Sequence, residues 1–436
     1  MNTKKWQLTA TNAVLHFLVD GVCVCCLYML SDVFSVSSLI GVFMTYNVLA
    51  FLTQPLTGML ADRFFPRHAV LLGLSAALLS AGVACASAFV WAGSGALWQL
   101  IVVAVLTGLG NSLFHVWGGK LTAVATGNDA RALGTFVSTG ALGLAVGVLL
   151  HSWWLLYAML AAIVVISVKI MILPPRHRDG TSHSVALCGA TWMTWVVVLL
   201  LMGLVMLRSM VGEVFSADIV RGSLTVLVIG AVAMAGKMMG GWLVRWMGIV
   251  AAFALVVVAV VVLLLFRSGG QGVLWAGLLA VNLTMAMTLY LANAAMPGRE
   301  GLAFGLLAAT LMPGYMLAQF GTTASEAMPG ILLTLVPTIV LELLVLWLLR
   351  EKRADVLWAA VVVNMLTNIP LNLYVTYVSG SFGTILTAEL LIVVVEALWY
   401  MYFVRSVRTA FIYSVLANGV SYFTGLLVQM LYLYIM

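Results

Sequence analysis

Apolar runs of about 18 residues or more recur along the whole of this 436-residue chain, and each is long enough to cross a bilayer core of about 30 Å. Only 8% of the residues are charged and 64% are hydrophobic, whereas a soluble domain carries about 25% charged residues. This composition excludes a water-soluble fold. The lack of a long polar stretch excludes a receptor with a large ectodomain. The sequence therefore predicts an all-α polytopic membrane protein.

Glycine, proline and charged residues divide the apolar sequence into fifteen predicted transmembrane spans. The spans lie near residues 9–31, 36–58, 69–89, 97–118, 132–151, 153–173, 191–213, 222–244, 249–266, 272–295, 301–321, 329–349, 355–376, 382–403 and 409–434. The charged segment 350–353 separates the first twelve spans from the last three.

The positions of the Lys and Arg residues support this division, because cytoplasmic loops of membrane proteins are enriched in both. With the N-terminus in the cytoplasm, 15 of the 20 basic residues fall on the cytoplasmic side. Arg208, Arg221 and Arg267 fall toward the outside, and Lys169 and Lys237 lie within or at the inner ends of spans. We therefore expect a protein of the bacterial inner membrane with a cytoplasmic N-terminus and an external C-terminus.

Two groups of six spans joined by a cytoplasmic middle loop are typical of two-lobed secondary transporters. The sequence predicts an N-terminal six-helix bundle over residues 1–173 and a middle loop over 174–190. A C-terminal six-helix bundle over 191–350 and a three-helix extension over 351–436 complete the predicted domains. The extension carries Glu389 and Glu396 on one helix, and such polar groups need partners inside a membrane. We expect it to dock on the same chain or to form a homodimer.

The loop between spans two and three contains the most specific motif of the chain. It has Gly58, then Asp62 and Arg63, and then Arg67. This pattern resembles the loop signature of the major facilitator superfamily. The resemblance implies two six-helix bundles, and it implies that Gly58, Asp62, Arg63 and Arg67 form a cytoplasmic latch between them.

A second copy of this spacing occurs at the equivalent place between spans eight and nine. Gly240 and Arg245 repeat the interval from Gly58 to Arg63, as an internal repeat predicts. Val244 stands where the first copy has its Asp. A latch on this side is therefore expected to be weaker than the first or absent.

Span four ends in a Phe-His pair, Phe114-His115, followed by glycines. This segment resembles the fosmidomycin-resistance type of bacterial facilitator, with Val116 in place of the expected Pro. Span five is rich in small residues, which either mark an antiporter of this superfamily or serve close helix packing alone.

Ionisable residues inside predicted spans are costly to bury and are therefore candidate functional groups. Asp20 lies in span one with His16 on the same helical face, His115 in span four and Arg208 in span seven. In the facilitator fold these spans line the central cavity. One interpretation is that Asp20 and His115 carry a coupling proton while Arg208 attracts an anionic group. The other is a structural ion pair between Asp20 and Arg208.

Span ten adds polar side chains that either bind a substrate or satisfy one another. These are Asn282, Thr288 and Tyr290. Three cysteines in span one raise the possibility of a soft-metal site, but two of them point to different helix faces, so we expect no metal.

The remaining patterns exclude other classes of function. No nucleotide-binding loop and no catalytic constellation is recognisable, so we expect neither an enzyme nor a cofactor. The net charge of +6 follows the membrane topology and does not indicate binding to nucleic acid. The leading hypothesis is a proton-coupled exporter of a small organic compound, working as an antiporter. The alternatives are uptake or exchange of an anionic metabolite through Arg208, and a non-transporting sensor or scaffold with a facilitator shell.

Overall fold

The computed structural model describes residues 3–32, 34, 36–64, 68–93, 96–172, 192–222, 224–319, 338–377 and 381–435. These residues are mainly helical and contain no strand. In chain order the helices are α1 Thr3–Met29, α2 Val36–Asn47, α3 Gln54–Arg63, α4 His68–Trp91, α5 Leu97–Thr126, α6 Ala130–Leu149, α7 Trp153–Ile172, α8 Trp192–Ala217 and α9 Thr225–Met247. They continue as α10 Ile249–Leu265, α11 Gln271–Ala295, α12 Glu300–Ala309, α13 Leu311–Gln319, α14 Thr338–Leu348, α15 Ala354–Tyr377, α16 Phe382–Val404 and α17 Val407–Ile435.

Helices occur at all fifteen predicted spans, although part of the twelfth lies outside the described residues. Within the described ranges, ten helices are long and apolar enough to cross a membrane. The chain is therefore a multi-pass integral membrane protein, as its composition predicted.

The second span is the most irregular of the described spans. A π-helical turn, Val48–Leu52, separates α2 from α3, and Pro55 lies in the first turn of α3. Proline lacks a backbone N–H and its ring clashes with the carbonyl four residues earlier, so the helix restarts here. Gly108 of α5 packs against this turn, where an added Cβ would lie 2.8 Å from the Cβ of Leu49. The irregular turn therefore packs closely against α5.

The chain divides into two compact units. The first contains Met1–Val185 and Leu201–Tyr315, and the second contains Ala186–Leu200 and Met316–Met436. In the first unit, α6 packs against both α1 and α9, and α3 packs against α12. These contacts join early and late spans, so the unit boundaries differ from the expected domain limits at residues 173, 190 and 350. Those limits stay a prediction.

Close packing of α1 against α6 positions the candidate site in the first unit. An added Cβ on Gly143 would collide with the backbone carbonyl of Phe17. The small residues of span five therefore bring α6 within backbone contact of α1. The same crossing lies beside Asp20 and His16.

Buried polar side chains connect the helices of the second unit. Asn364 of α15 donates a hydrogen bond to Glu342 of α14 at 2.6 Å, and Asn418 of α17 donates one to Glu396 of α16 at 2.5 Å. Each Glu is fully buried. The asparagines therefore provide partners for carboxyl groups that would otherwise be unsatisfied in hydrocarbon.

Candidate functional site

Asp20, His16 and His115 form a buried cluster in the first unit, which we call the His-Asp cluster. Asp20 and His16 lie one turn apart on α1, and His115 extends from α5. The Asp20 carboxylate lies 3.2 Å from His16 Nε2 and 3.4 Å from His115 Nε2. None of the three residues is more than 9% exposed. The structure thus brings together Asp20 and His115, which the sequence predicted as functional, and adds His16.

Backbone carbonyls determine which ring nitrogens of the two histidines carry hydrogen. His16 Nδ1 lies 2.7 Å from the carbonyl oxygen of Phe136, and His115 Nδ1 lies 2.9 Å from that of Asn111. A carbonyl only accepts, so both Nδ1 atoms must donate. In two neutral rings, the Nε2 atoms would then face each other with lone pairs at a distance of 2.8 Å. A proton between them removes this repulsion, and the Asp20 carboxylate neutralises its charge.

Asn111 and Gly140 complete the surroundings of the His-Asp cluster. Asn111 Nδ2 donates to Asp20 Oδ1 at 2.9 Å, which orients the carboxylate. Gly140 of α6 faces the cluster, and an added Cβ would collide with Asp20 Oδ2 and His16 Nε2. Sequence reasoning did not assign Asn111 a role, although its position four residues before His115 places both on one face of α5.

The His-Asp cluster also has the donor set of a metal site. His16, Asp20 and His115 offer two imidazole nitrogens and a carboxylate oxygen within 4.8 Å of one another. Imidazole and carboxylate suit several divalent transition metals. The sequence predicted no metal, and a proton and a metal give different outcomes in the transport experiment described below.

Arg208 does not pair with Asp20, so the structural ion pair considered from the sequence does not form. Arg208 lies on α8 with 7% exposure, and its Nε and Nη2 atoms have no hydrogen-bond partner among the described residues. Lys237 of α9 lies within electrostatic range of both Arg208 and Asp20. Lys237 is not among the residues predicted from the sequence, although its position near the middle of α9 is a visible signal.

The three predicted polar residues of span ten lie on α11. Asn282 Nδ2 donates to the carbonyl oxygen of Leu278, and Thr288 Oγ1 donates to that of Thr284. The backbone oxygen of Tyr290 accepts from the side chain of Asn128 at 3.0 Å. The Asn282 and Thr288 side chains each donate a hydrogen bond within their own helix, and their oxygen atoms keep the capacity to accept one.

Asp62 forms a contact between α3, α5 and α12 that we call the first latch. Lys120 Nζ lies 2.5 Å from Asp62 Oδ1, and the backbone N–H groups of Gly301 and Leu302 donate to the same carboxylate at 2.8 and 2.9 Å. Glu300 adds a longer contact to Lys120 at 3.5 Å. The carboxylate therefore satisfies free donors at the N-terminus of α12, where the helix dipole also favours negative charge.

The other predicted members of this latch take different positions. Gly58 packs so closely on Gly301 that an added Cβ would collide with its carbonyl. Arg63 is exposed, and its guanidinium lies over the ring of the adjacent Phe64 at 5.9 Å. Arg67 lies outside the described residues. Lys120 supplies the buried positive charge that the motif alone did not identify.

Arg131 forms the centre of a contact at the second copy of the motif, which we call the second latch. Its guanidinium lies 5.7 Å from the ring of Trp6 and 5.4 Å from that of Trp242. Arg131 Nη2 also donates to Asp129 at 2.6 Å. Gly241 packs on the backbone of Ala130, where an added Cβ would collide. A latch therefore exists without an Asp at position 244, and it joins α1, α6 and α9 through cation–π contacts.

The charged residues around the second latch keep the Asp129 carboxyl group ionised. Burial raises the pKa of this carboxyl group, but hydrogen bonds from the side chain and backbone of Arg131 lower it more. The Arg245 guanidinium also lowers the pKa of Asp129. The net pKa lies below the ordinary value, so Asp129 is ionised near neutral pH. Arg245 is exposed, and Gly240 packs on the backbone of Leu283 in α11.

Comparisons with known proteins show which fold the chain has. No protein-family model and no curated protein sequence matches this chain. The E. coli fucose:proton symporter matches with a TM-score of 0.52 at 12% sequence identity, over 84% of this chain and 97% of the symporter. A bacterial homologue of the iron transporter ferroportin, in an outward-facing state, matches with a TM-score of 0.48 at 12% identity, over 89% of this chain and 99% of that one. The likeness to the symporter shows that the chain has the major facilitator fold, as the loop motifs predicted.

Proposed function

We propose that this chain is a secondary active transporter that exports a small organic compound by proton antiport. The observation that carries the proposal is the buried His-Asp cluster inside a facilitator fold. Charged groups inside a membrane protein are expensive and typically mark ion pathways. Asp20 and His115 are the proposed proton-coupling residues, and His16 joins them because its Nε2 lies 2.8 Å from that of His115.

The packing of the cluster suggests how a proton is exchanged. The cluster is buried between α1, α5 and α6, so water reaches it only if these helices move relative to their neighbours. In alternating access, two bundles rock against each other around a central site. We propose residues 1–173 and 191–350 as these bundles, with residues 351–436 outside the pathway and available for dimerisation.

The latches are the proposed contacts that close one side of the pathway. By the distribution of basic residues, this side faces the cytoplasm of a bacterial cell, and the chain lies in the inner membrane with its C-terminus outside. Gly58, Asp62, Gly240 and the charged residues of both loop motifs are the latch residues of this proposal. Arg208, Asn282, Thr288 and Tyr290 are the proposed substrate contacts, because they lie on helices α8 and α11 that correspond to cavity-lining spans.

The proposal is tested by transport into inverted membrane vesicles with an imposed proton gradient. A panel of small organic compounds is screened with the wild-type protein, and the best compound is then used with Asp20→Asn and His115→Gln. We expect both variants to lose accumulation against the gradient, with Asp20→Asn retaining exchange of substrate across the membrane. Asp218→Asn and His151→Gln change exposed residues and are the matched controls.

Three results would contradict the proposal. If Asp20→Asn still concentrates substrate, the coupling site lies elsewhere. If EDTA abolishes transport by the wild type, the cluster holds a metal instead of the proton. If transport runs in the opposite direction under every gradient, the protein performs uptake or exchange.

A non-transporting sensor or scaffold is the second candidate function. This alternative predicts that no compound in the panel moves, and that replacing Asp20 changes only the stability of the fold. The Nε and Nη2 atoms of Arg208 have no partner among the described residues, which argues against a scaffold. A buried cation without a partner destabilises a fold and would serve no purpose in a purely structural protein.

A further inference from the structure

Arg208 is a buried cation for which the described residues provide no counter-ion. Its side chain is 7% exposed, and no described carboxylate lies within ion-pair distance of it. A guanidinium stays charged at any physiological pH, so it cannot relieve its burial by losing a proton. A buried charge without a partner is strongly destabilising. Such a residue persists in a fold when something outside the chain supplies the missing charge.

Asp20, the carboxylate that the sequence suggested as a partner of Arg208, has other partners. Asp20 accepts hydrogen bonds from Asn111 and lies within 3.4 Å of both histidines of the cluster. Its partners therefore come from α1 and α5, and none comes from α8. Glu213 lies farther along α8, five residues from Arg208, and has other interactions.

Lys237 adds a second positive charge that acts electrostatically on Arg208. It extends from α9 and lies within electrostatic range of Arg208 and of Asp20. Its position is determined by the preceding Gly236, which packs on α11 so closely that an added Cβ would lie 2.6 Å from the carbonyl oxygen of Leu279. The two cations repel each other, and an anion bound close to Arg208 would offset this repulsion.

The unpaired nitrogens of Arg208 indicate the shape of that anion. Nε and Nη2 are the two donors on one edge of the guanidinium, and this edge matches the two oxygens of a carboxylate or phosphate. Lysine adds a compact charge without a directional preference. We propose that Arg208 and Lys237 form an anion subsite for the carboxylate or phosphate group of an organic anion. This proposal rests on the transport function proposed above and names its substrate class.

A stability measurement tests the subsite without any ligand. Purified full-length protein is heated in a buffer free of carboxylates and phosphate, and Arg208→Gln is compared with the wild type. We expect a higher melting temperature for Arg208→Gln, because the variant removes an unpaired buried charge. Arg221→Gln, at an exposed position, is the control and should leave the melting temperature unchanged. A lower melting temperature for Arg208→Gln would show that Arg208 has a structural partner and would overturn the proposal.

Binding of matched probes gives the second test. Benzoate, phenyl phosphate and uncharged benzamide share a ring and differ in the charged group. We expect at least one of the two anions, and not benzamide, to raise the melting temperature of the wild type. The apparent affinity should fall tenfold or more in Arg208→Gln and severalfold in Lys237→Gln, and Arg208→Lys should recover only part of it. The preferred anion identifies whether the subsite takes a carboxylate or a phosphate.

Each remaining outcome overturns the subsite. These outcomes are an equal effect of benzamide, an anion effect that persists in Arg208→Gln, and a wild type that responds to none of the probes. Because binding is measured without a proton gradient, loss of proton-driven transport leaves these results unaffected. Conversely, a failed binding test leaves the transport measurements with Asp20→Asn unaffected.

Discussion

The first and second latches occupy equivalent places in the sequence repeat but hold their helices together by different chemistry. Both use a glycine that brings two helix backbones into contact: Gly58 in the first latch and, in the second, Gly241, one residue after the repeat equivalent Gly240. The first latch then uses the buried carboxylate of Asp62. The second uses Arg131 between two tryptophan rings. The two latches therefore share the close approach of the helices but differ in the polar group that stabilises the contact.

The difference follows from how the helix facing each latch is capped. The N-cap residue of α12, Arg299, makes no side-chain cap, so the N–H groups of Gly301 and Leu302 need an acceptor from elsewhere. Asp62 provides it. The N-terminus of α6 is capped locally, because Asp129 accepts from the backbone N–H of Arg131. Val244 packs against the apolar cluster of Ala252, Val256 and Met287, and the local cap of α6 does not depend on an acid at this position.

The largest effect is expected from breaking the first latch with Asp62→Asn. The variant leaves the buried Lys120 without its closest counter-ion, and removing one partner of a buried ion pair costs about 3–5 kcal/mol. We expect a large drop in melting temperature and a longer distance between spin labels at Phe64→Cys and Pro297→Cys, measured in a background without the native cysteines. Both labelled positions are exposed. An unchanged label distance would show that the carboxylate does not hold α3 to α12.

Equal effects are expected from Gly58→Leu and Gly241→Leu, because the steric part of the two latches is shared. Each substitution places a side chain where the facing backbone leaves no room for a Cβ. Overpacking of this kind costs about 1–3 kcal/mol. Melting temperatures of both variants provide the measurement, with Gly383→Leu, where no atom lies within 4 Å of an added Cβ, as the control. If only one of the two variants is unstable, the latches are not sterically equivalent.

A smaller effect is expected from Trp242→Ala in the second latch. The variant removes one of the two rings that contact the Arg131 guanidinium, and a cation–π contact contributes about 0.5–2 kcal/mol. Trp242→Phe keeps an aromatic face and should recover most of the loss in melting temperature. Equal loss in both variants would indicate that the volume of Trp242 matters and that its ring face does not.

The capping explanation predicts a rescue by a second substitution. Asp129→Ala should cost about 0.5–2 kcal/mol, the usual range for a lost N-cap. Val244→Asp alone should not stabilise the protein, because Asp129 already caps α6 and the new charge would lie against the apolar cluster of Ala252, Val256 and Met287. In the Asp129→Ala background, the same change should recover part of the lost melting temperature. Equal effects of Val244→Asp in both backgrounds would contradict the proposed role of the cap.

The pH dependence of this cap is the smallest effect that we expect. The pKa of Asp129 is lowered in the folded protein. The ionised carboxylate therefore contributes to the free energy of unfolding at any pH above the ordinary carboxyl pKa, and this contribution is lost as the pH falls through the lowered pKa. The stability difference between wild type and Asp129→Ala should therefore stay constant from about pH 8 to about pH 6 and shrink in more acidic buffer. If the stability difference between wild type and Asp129→Ala already shrinks between about pH 8 and about pH 6, the pKa of Asp129 is not lowered as expected.

Much of the fold could be predicted from residue pattern alone. The helices at the predicted spans and the facilitator fold could be predicted from apolar length and the motif at Gly58 and Asp62, because the bilayer imposes the same length rule on each span; the count of fifteen membrane spans stays a prediction. The candidate site was predicted in part. Asp20, His115 and Arg208 were visible as ionisable groups in apolar runs. Lys120 counted only as one of the cytoplasmic basic residues, and Lys237 only as a residue within or at the inner end of a span.

The sequence by itself determined which elements form, since helix length and polarity are local properties that water and lipid select directly. Only the tertiary structure decided which polar groups meet. Asp20 pairs with two histidines, and the Nε and Nη2 atoms of Arg208 find no partner among the described residues, although the sequence allowed either pairing. Arg131 reaches Trp6 and Trp242 across more than a hundred residues of chain. Such contacts depend on which helix faces touch and how closely small residues let them approach, and neither property is local to one span.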